Sequence, residues 1–239
     1  MSGELATLDR FLGGRLLAAQ PRNGFRAGHD TVLLAAAVPA HASAQVLELG
    51  AGAGIASLCL AARVPGVRVL GIDIDAGLVV LANENAARNG LDGRVCFEPG
   101  DAAQFSGGRQ FDHVFFNPPF HPASGQQSPN LSRARAMRGE HALSQWMRVA
   151  LGLTRPGGTV TAITRADRAA ELLRVKDGAV LFPLFPHEGD APKRAIVQIV
   201  KDGTAPFREA AGMVLHERDG RNTNAAEAVL RQGEELRLV

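Results

Sequence analysis

From Gln45 onward, short apolar runs rich in β-branched residues alternate with longer amphipathic stretches, an order that builds a mostly parallel sheet covered by helices. VLELGAG reads as a first strand entering a glycine turn, with a helix from about Gly54 to Arg63. RVLGIDI reads as a second strand, followed by a helix that Asn89-Gly90 stops. VCFEPGD is a third strand, and FDHVFFN, apolar at nearly every position, is a fourth that both faces bury. A helix is expected from about Glu140 to Thr154, then a turn at ArgProGlyGly (155–158), the strand TVTAIT and a short helix near Asp167 to Val175. AVLFPLF and RAIVQIV complete a count of about seven strands.

Ahead of this core, DRFLGGRLLAAQP has apolar residues on both sides of Gly13-Gly14 and fits a hairpin. HDTVLLAAAV fits a short helix with Asp30 as a possible N-cap. The segment is too small for a core of its own, so residues 1–44 are expected to be an extension packed on a domain of residues 45–239. The tail from Arg231 to Val239 is charged and expected to fray.

Composition narrows the functional classes only a little. With 46% apolar residues the chain is globular, and its net charge of +2 does not mark a nucleic-acid binder. All but three of its 26 basic residues are arginine, the side chain suited to bidentate phosphate contact, though a GC-rich genome gives the same bias. Cys59 and Cys96 lack metal-ligand spacing and read as two reduced core thiols, so no metal is expected. No apolar run is long enough for a membrane span and the N-terminus does not read as a signal peptide, which makes cytoplasmic the default. Oligomeric state is not legible.

Glu48-Leu-Gly-Ala-Gly-Ala-Gly54 lies between a strand and a helix, where glycines let the backbone turn tightly and approach a nucleotide-like ligand. Ile55 stands where a dinucleotide fingerprint needs its third glycine, which disfavours a nicotinamide oxidoreductase. Asp73, at the end of the second strand, is placed to accept from ribose hydroxyls, while Asp75 is the better cap for the helix that follows. Asp101, beside Ala102 at the end of the third strand, is either a turn residue or an acceptor for an adenine amine.

ELGAGAG, GIDID, GD and NPPF in this order resemble the class I S-adenosylmethionine-dependent methyltransferases, in the branch with an Asn-Pro-Pro-aromatic motif after the fourth strand. The resemblance covers roughly Gln45 to Thr164 and implies a Rossmann-like α/β fold. It implies a cofactor, S-adenosyl-L-methionine, held by Glu48, Gly50, Gly52, Gly54, Asp73, Asp101, Ala102 and Asn117. FLGGRLLAAQPRNGFRAGHDTVLLAAAV and MVLHERDGRNT resemble the bacterial group that includes valine-tRNA adenine-N6 methyltransferases, although Arg221-Asn222 stands where that group has an aromatic residue before the threonine.

The motif has a chemical logic. An exocyclic amine on a base is a poor nucleophile because its lone pair is delocalised into the ring. If the Asn117 side-chain oxygen and the Pro118 carbonyl each accept one N–H, the nitrogen is drawn toward a pyramidal geometry and positive charge passing to it is stabilised. Pro118 and Pro119 stiffen the loop, and Phe120 can stack on a flipped base, a contact worth about 1–3 kcal/mol. His121 reads as an exposed loop residue. Arg133, Arg135 and Arg138 form either a phosphate clamp or a solvated loop. Arg15, Arg22, Arg26, Lys193 and Arg194 are further candidates for a basic surface. The implied partner is RNA, most directly tRNA methylated at adenine N6. Alternatives are a guanine-N2 amine of rRNA, a protein glutamine-N5 amide (disfavoured by the short segment before the glycine turn) and a non-enzymatic RNA-binding module.

Overall fold

The computed structural model describes residues 6–23, 25–118, 141–174 and 178–238. It opens with an antiparallel hairpin, β1 (Ala6–Phe11) and β2 (Leu16–Pro21), turned at Leu12–Gly14, followed by α1 (His29–Ala37). The core then alternates β3 (Gln45–Leu49), α2 (Ile55–Arg63), β4 (Arg68–Asp73), α3 (Ala76–Arg88), β5 (Val95–Pro99) and β6 (Phe111–Phe116). After the segment that is not described come α4 (His141–Leu153), β7 (Thr154–Arg165), α5 (Ala169–Leu173), β8 (Ala179–Phe185) and β9 (Arg194–Val200). Two short strands, β10 (Arg208–Glu209) and β11 (Met213–Val214), precede α6 (Asn224–Leu230).

The main sheet has the order β10-β8-β9-β7-β6-β3-β4-β5, with β11 also on β8. Its pairs are parallel except for β9, which runs antiparallel to β7 and β8. The expected seven strands are present, and the two-residue strands β10 and β11 extend the β8 edge. Chain direction across the sheet reverses between β3 and β6, the place where α/β sheets open a crevice at their carboxyl edge.

Strand alternation divides the core into two layers. Val46, Val69, Val95 and Phe115 face α1, α2, α3, α6 and the hairpin. Leu47, Leu49, Leu70, Ile72, Val114 and Phe116 face α4 and α5. Phe115 and Phe116 are thus fully buried on opposite faces of one strand, each worth about 1.5–3 kcal/mol.

Several expectations change. Asp30 is not a cap: Gly28 holds that position, and the Asp30 carboxylate takes the Arg194 guanidinium at 2.7 Å, tying α1 to the start of β9. ArgProGlyGly is no turn ahead of a strand but a bulge within β7, where the register jumps from Phe111↔Thr154 to His113↔Thr159. Gly157 donates to the Lys201 carbonyl and Lys201 to that of Gly158, so β9 keeps the bulge in the sheet. Cys59 is buried, whereas Cys96 is exposed, since β5 is an edge strand with one face open. The charged tail does not fray: Leu236 donates to the Ala36 carbonyl, and Leu236 and Leu238 are buried against α1's layer.

Candidate active site

Strand register brings the expected residues to one line. Leu49 is level with Phe116 of β6 and with Ile72 of β4, so Gly50, Asn117 and Asp73 leave the sheet side by side, and Asp73 is level with Pro99 of β5. Neighbouring strands lie about 4.8 Å apart, so the line from Pro99 to Asn117 crosses three strand spacings, about 14 Å. Gly100 donates its N–H to the Asp73 carbonyl, and Asp101 follows at the same edge.

The glycine turn is built by crowding on one side and openness on the other. Gly50, Gly52 and Gly54 all have positive φ. A Cβ on Gly50 would lie 2.7 Å from the Trp146 ring, and one on Gly54 would lie 2.6 Å from that of Phe97. At Gly52 a Cβ would meet nothing within 4 Å. Gly52 donates its N–H to Asp73 Oδ2 at 2.8 Å, while Asp75 donates to Asp73 Oδ1 at 2.9 Å. Both Asp73 oxygens keep a lone pair for a ligand. Burial raises the Asp73 carboxyl above its ordinary value against the opposing pull of these backbone donors. Asp75 caps α3, accepting from Gly77 and Leu78.

Glu48 points away from the open side. It is buried, and its Oε2 accepts both the backbone N–H of Ser57, at 3.0 Å, and the Ser57 hydroxyl. Desolvation dominates over those two bonds and pushes its carboxyl up to about 8, so the side chain is protonated at neutral pH. It clamps the end of β3 to α2. Asp101 accepts from the Ala103 backbone and the Gln104 side chain, closing its own turn, and Ala102 is buried against the α4 layer.

Thr31, Arg63, His113, Thr164 and His216 each have one buried polar side-chain atom without a partner among the described residues, but at Asn117 the whole amide is in that state. Its Oδ1 and Nδ2 are both buried, and neither has a hydrogen-bond partner among the described residues. A buried polar group left unpaired costs about 1–3 kcal/mol, so this amide is available to a partner that the described residues do not supply. Pro118 follows it, also buried. Pro119, Phe120, His121, Arg133, Arg135 and Arg138 lie outside the described residues. Arg26 pairs with Asp9 at 2.6 Å, Arg15 bonds the Arg231 and Gln232 carbonyls, and Arg194 holds Asp30, so these three arginines brace the fold. Thr223, in the late segment, is the N-cap of α6 and donates to the Val214 carbonyl.

Sequence reasoning missed Trp146 and Phe97, which shape the turn from across the sheet, and Asn83 and Asn85 on α3. Trp146 packs edge-on to Phe116 with ring centroids 5.8 Å apart. Asn83 bonds the Phe97 backbone at both N–H and carbonyl, fixing the ring that sits against Gly54. The single tryptophan of the chain is a compositional hint, but nothing local marks its target.

A cavity of about 150 Å³, lined by Arg68, Arg94, Cys96 and Arg109 among others, lies at the opposite, amino-terminal edge of the same strands. None of the residues on the carboxyl-edge line borders it. Among the described residues no His, Cys, Asp and Glu cluster is arranged to hold a metal ion, and no helix is long and apolar enough to cross a membrane.

The open side of Gly52 and the free lone pairs of Asp73 fit a nucleoside-bearing cofactor lying along the carboxyl edge, with the Asn117 amide beside it. Comparison with known proteins agrees. The family model described as the methyltransferase small domain matches residues 26–145. A tRNA1(Val) (adenine(37)-N6)-methyltransferase of Porphyromonas gingivalis is 34% identical over 157 residues, 62% of this chain and 61% of that protein. The enzyme of the same name from Actinobacillus succinogenes is 29% identical over 76% of this chain and 79% of its own length. A release factor glutamine methyltransferase of Chlorobaculum tepidum is 30% identical over 68% of this chain and 60% of its own. The match thus spans about three fifths of the Porphyromonas relative's length. Among solved structures, a predicted O-methyltransferase from Agrobacterium tumefaciens superposes with a TM-score of 0.71 at 21% identity, covering 87% of this chain and 97% of that one, which shows the shared fold. TrmN from Thermus thermophilus gives 0.51 at 26% identity over 72% of this chain and 48% of its own. With the family model matching half of its length, the chain belongs to the methyltransferase small-domain family, whose members depend on S-adenosylmethionine.

Proposed function

We propose that the protein methylates an exocyclic amine of an RNA base, most directly adenine N6 of a tRNA. The observation that carries this reading is the buried amide of Asn117, unpaired among the described residues and level with Gly50 at the carboxyl edge. S-adenosylmethionine, when bound, supplies an electrophilic methyl group on a sulfonium. Everything else falls to the chain's own residues. Asp73 accepts the ribose hydroxyls with its remaining lone pairs, and the open face of Gly52 admits the ligand close to the backbone. Asp101 receives the adenine amine, and Glu48 keeps the turn in place through Ser57 without touching the ligand.

The Asn117 oxygen and the Pro118 carbonyl each accept one N–H of the target amine. This holds the lone pair toward the methyl donor and stabilises the charge arriving on nitrogen. The product ammonium is acidic enough to release its proton to water, so no general base is needed in the site. Phe120 stacks on the base and Arg133, Arg135 and Arg138 hold neighbouring phosphates.

One specific observation favours a second reading, methylation of a protein glutamine: the 30% identity to the Chlorobaculum relative. A glutamine amide has the same delocalised lone pair and needs the same two acceptors. Incubation with methyl-labelled cofactor and with both unmodified tRNA and release factor separates the two. Label in N6-methyladenosine, identified by nucleoside mass spectrometry, supports the RNA reading, and label confined to protein overturns it.

A further inference from the structure

Asn85 of α3 is fully buried, and every hydrogen-bonding position of its side chain is in use. Its Oδ1 accepts the Ala19 N–H at 2.8 Å and an Arg88 N–H at 2.6 Å. Its Nδ2 donates to the Ala19 carbonyl at 2.9 Å and to the Ala53 carbonyl at 3.0 Å. Two donors and two lone pairs are thereby exhausted. Ala19 belongs to β2 of the hairpin, whereas Ala53 lies between Gly52 and Gly54 in the cofactor turn.

Asn89, one helical turn further on, repeats half of this pattern. It accepts from Leu17 N–H at 3.0 Å and donates to the Leu17 carbonyl at 2.7 Å. The other bond of its Nδ2 goes to the Asn85 carbonyl within α3, and not to the glycine turn. A helical step of four residues, about 6 Å, matches a strand step of two, about 6.7 Å. The two amides therefore act as the missing neighbour of β2, occupying backbone groups that an edge strand leaves free. Only Asn85 reaches beyond β2.

The peptide unit that Asn85 grips is strategic. Its carbonyl, from Ala53, goes to Asn85, and its N–H, from Gly54, goes to the Ala51 carbonyl at 2.9 Å. Gly52 and Gly54 flank it with positive φ, and glycines in that region rotate with little steric resistance. Gly54 is fenced by Phe97 and Ala82, whereas Gly52 has no neighbour within 4 Å of a Cβ and is held by its N–H bond to Asp73. The two bonds on the Ala53–Gly54 peptide therefore join the Gly52–Asp73 bond in restraining the open half of the turn.

We propose that Asn85 is a positioning residue for the cofactor turn, and that through it the N-terminal hairpin and S-adenosylmethionine binding are coupled. The inference rests on the glycine turn as the cofactor site and is independent of which amine is methylated.

The test uses the full-length protein, S-adenosylhomocysteine as the probe, calorimetric titration, thermal melting and amide hydrogen exchange. Asn85→Ala should raise the dissociation constant about tenfold or more and speed exchange across residues 52–54 in the ligand-free protein. Asn89→Ala removes the bonds at Leu17 but keeps the Ala19–Asn85–Ala53 link that carries the coupling, so it should lower the melting temperature yet leave the dissociation constant within about twofold. Asn85→Asp keeps the side-chain volume and acceptor but loses the donors to Ala53 and Ala19, so it should resemble Asn85→Ala. Equal effects of the Asn85 and Asn89 substitutions on affinity would reduce Asn85 to a fold-stabilising role and overturn the proposal.

The wild-type protein gives a readout that does not depend on any variant folding. Coupling is reciprocal, so bound S-adenosylhomocysteine should slow exchange at the Ala19 N–H together with residues 52–54. Protection of the turn with no change at Ala19 overturns the coupling alone. A wild-type protein that does not bind the probe overturns the cofactor site on which the proposal stands.

Discussion

The Trp146 ring lies over Gly50, 2.7 Å from where a Cβ would stand, although α4 is more than ninety residues away along the chain. Gly50→Ala combines a clash with a φ of +69°. Overpacking costs about 1–3 kcal/mol and a left-handed alanine about 1–2 kcal/mol, so the variant should lose about 2–5 kcal/mol. Gly52→Ala carries the backbone cost alone, since its side faces open space. It should stay folded and bind S-adenosylhomocysteine poorly. Paired melting and titration experiments check this, and comparable destabilisation by both substitutions would mean that the space beside Gly52 is not open.

Asp73 ties the Gly52 N–H to the start of α3 and leaves lone pairs facing outward. Asp73→Ala should raise the dissociation constant for S-adenosylmethionine at least tenfold while α3 keeps its own cap, Asp75. Turnover at saturating cofactor should fall far less than affinity. An affinity equal to that of the wild type would remove Asp73 from the site.

Glu48 gives a pH dependence whose sign follows from burial. Its folded carboxyl titrates at about 8, against an ordinary value of 4.5, so between these values the folded protein holds a proton that the unfolded chain has released. Stability is therefore lost as pH rises from about 4.5 toward 8, by up to about 1.4 kcal/mol per pH unit, and the slope from this group vanishes outside that window. Glu48→Gln keeps an oxygen to accept from Ser57 and cannot ionise. Denaturant melts at pH 5, 6, 7 and 8 should show a slope in the wild type that is flattened in the variant. Parallel slopes would assign the effect to other groups.

The parts of the fold that depend on local pattern were legible in the chain. The alternation from Gln45 marks the strands and helices of the core, Asn89-Gly90 marks the end of α3, and ELGAGAG marks the turn. What escaped are relations set by residues distant in sequence. Gly71 reads as an ordinary strand residue, yet its Cβ would stand 2.3 Å from Phe97 of the neighbouring strand. Asn85 is not singled out in the sequence and Asn89 reads only as a helix stop, because the backbone they satisfy belongs to a hairpin more than sixty residues earlier. Asp30 looked like a cap because Asp is a common cap, and the competing partner, Arg194, is visible only once β9 is in place. For the same reason the motif marks Asn117 as a candidate acceptor, while its lack of a partner among the described residues is a property of the folded chain alone.

That unpaired amide separates stability from function. In most buried positions Asn→Ala removes hydrogen bonds and destabilises, but Asn117 has none to lose among the described residues. Removing its amide deletes two unsatisfied polar atoms, a relief of about 1–3 kcal/mol, against the small cavity left behind. Asn117→Ala should therefore melt no lower than the wild type, bind S-adenosylhomocysteine with similar affinity, and lose methyl transfer by about a hundredfold to a thousandfold, the scale at which deleting one transition-state acceptor or donor acts. Melting, titration and single-turnover transfer to unmodified tRNA measure the three quantities separately. A variant that melts well below the wild type would show that the fold uses this amide, and a variant that still transfers methyl groups would show that the chemistry does not.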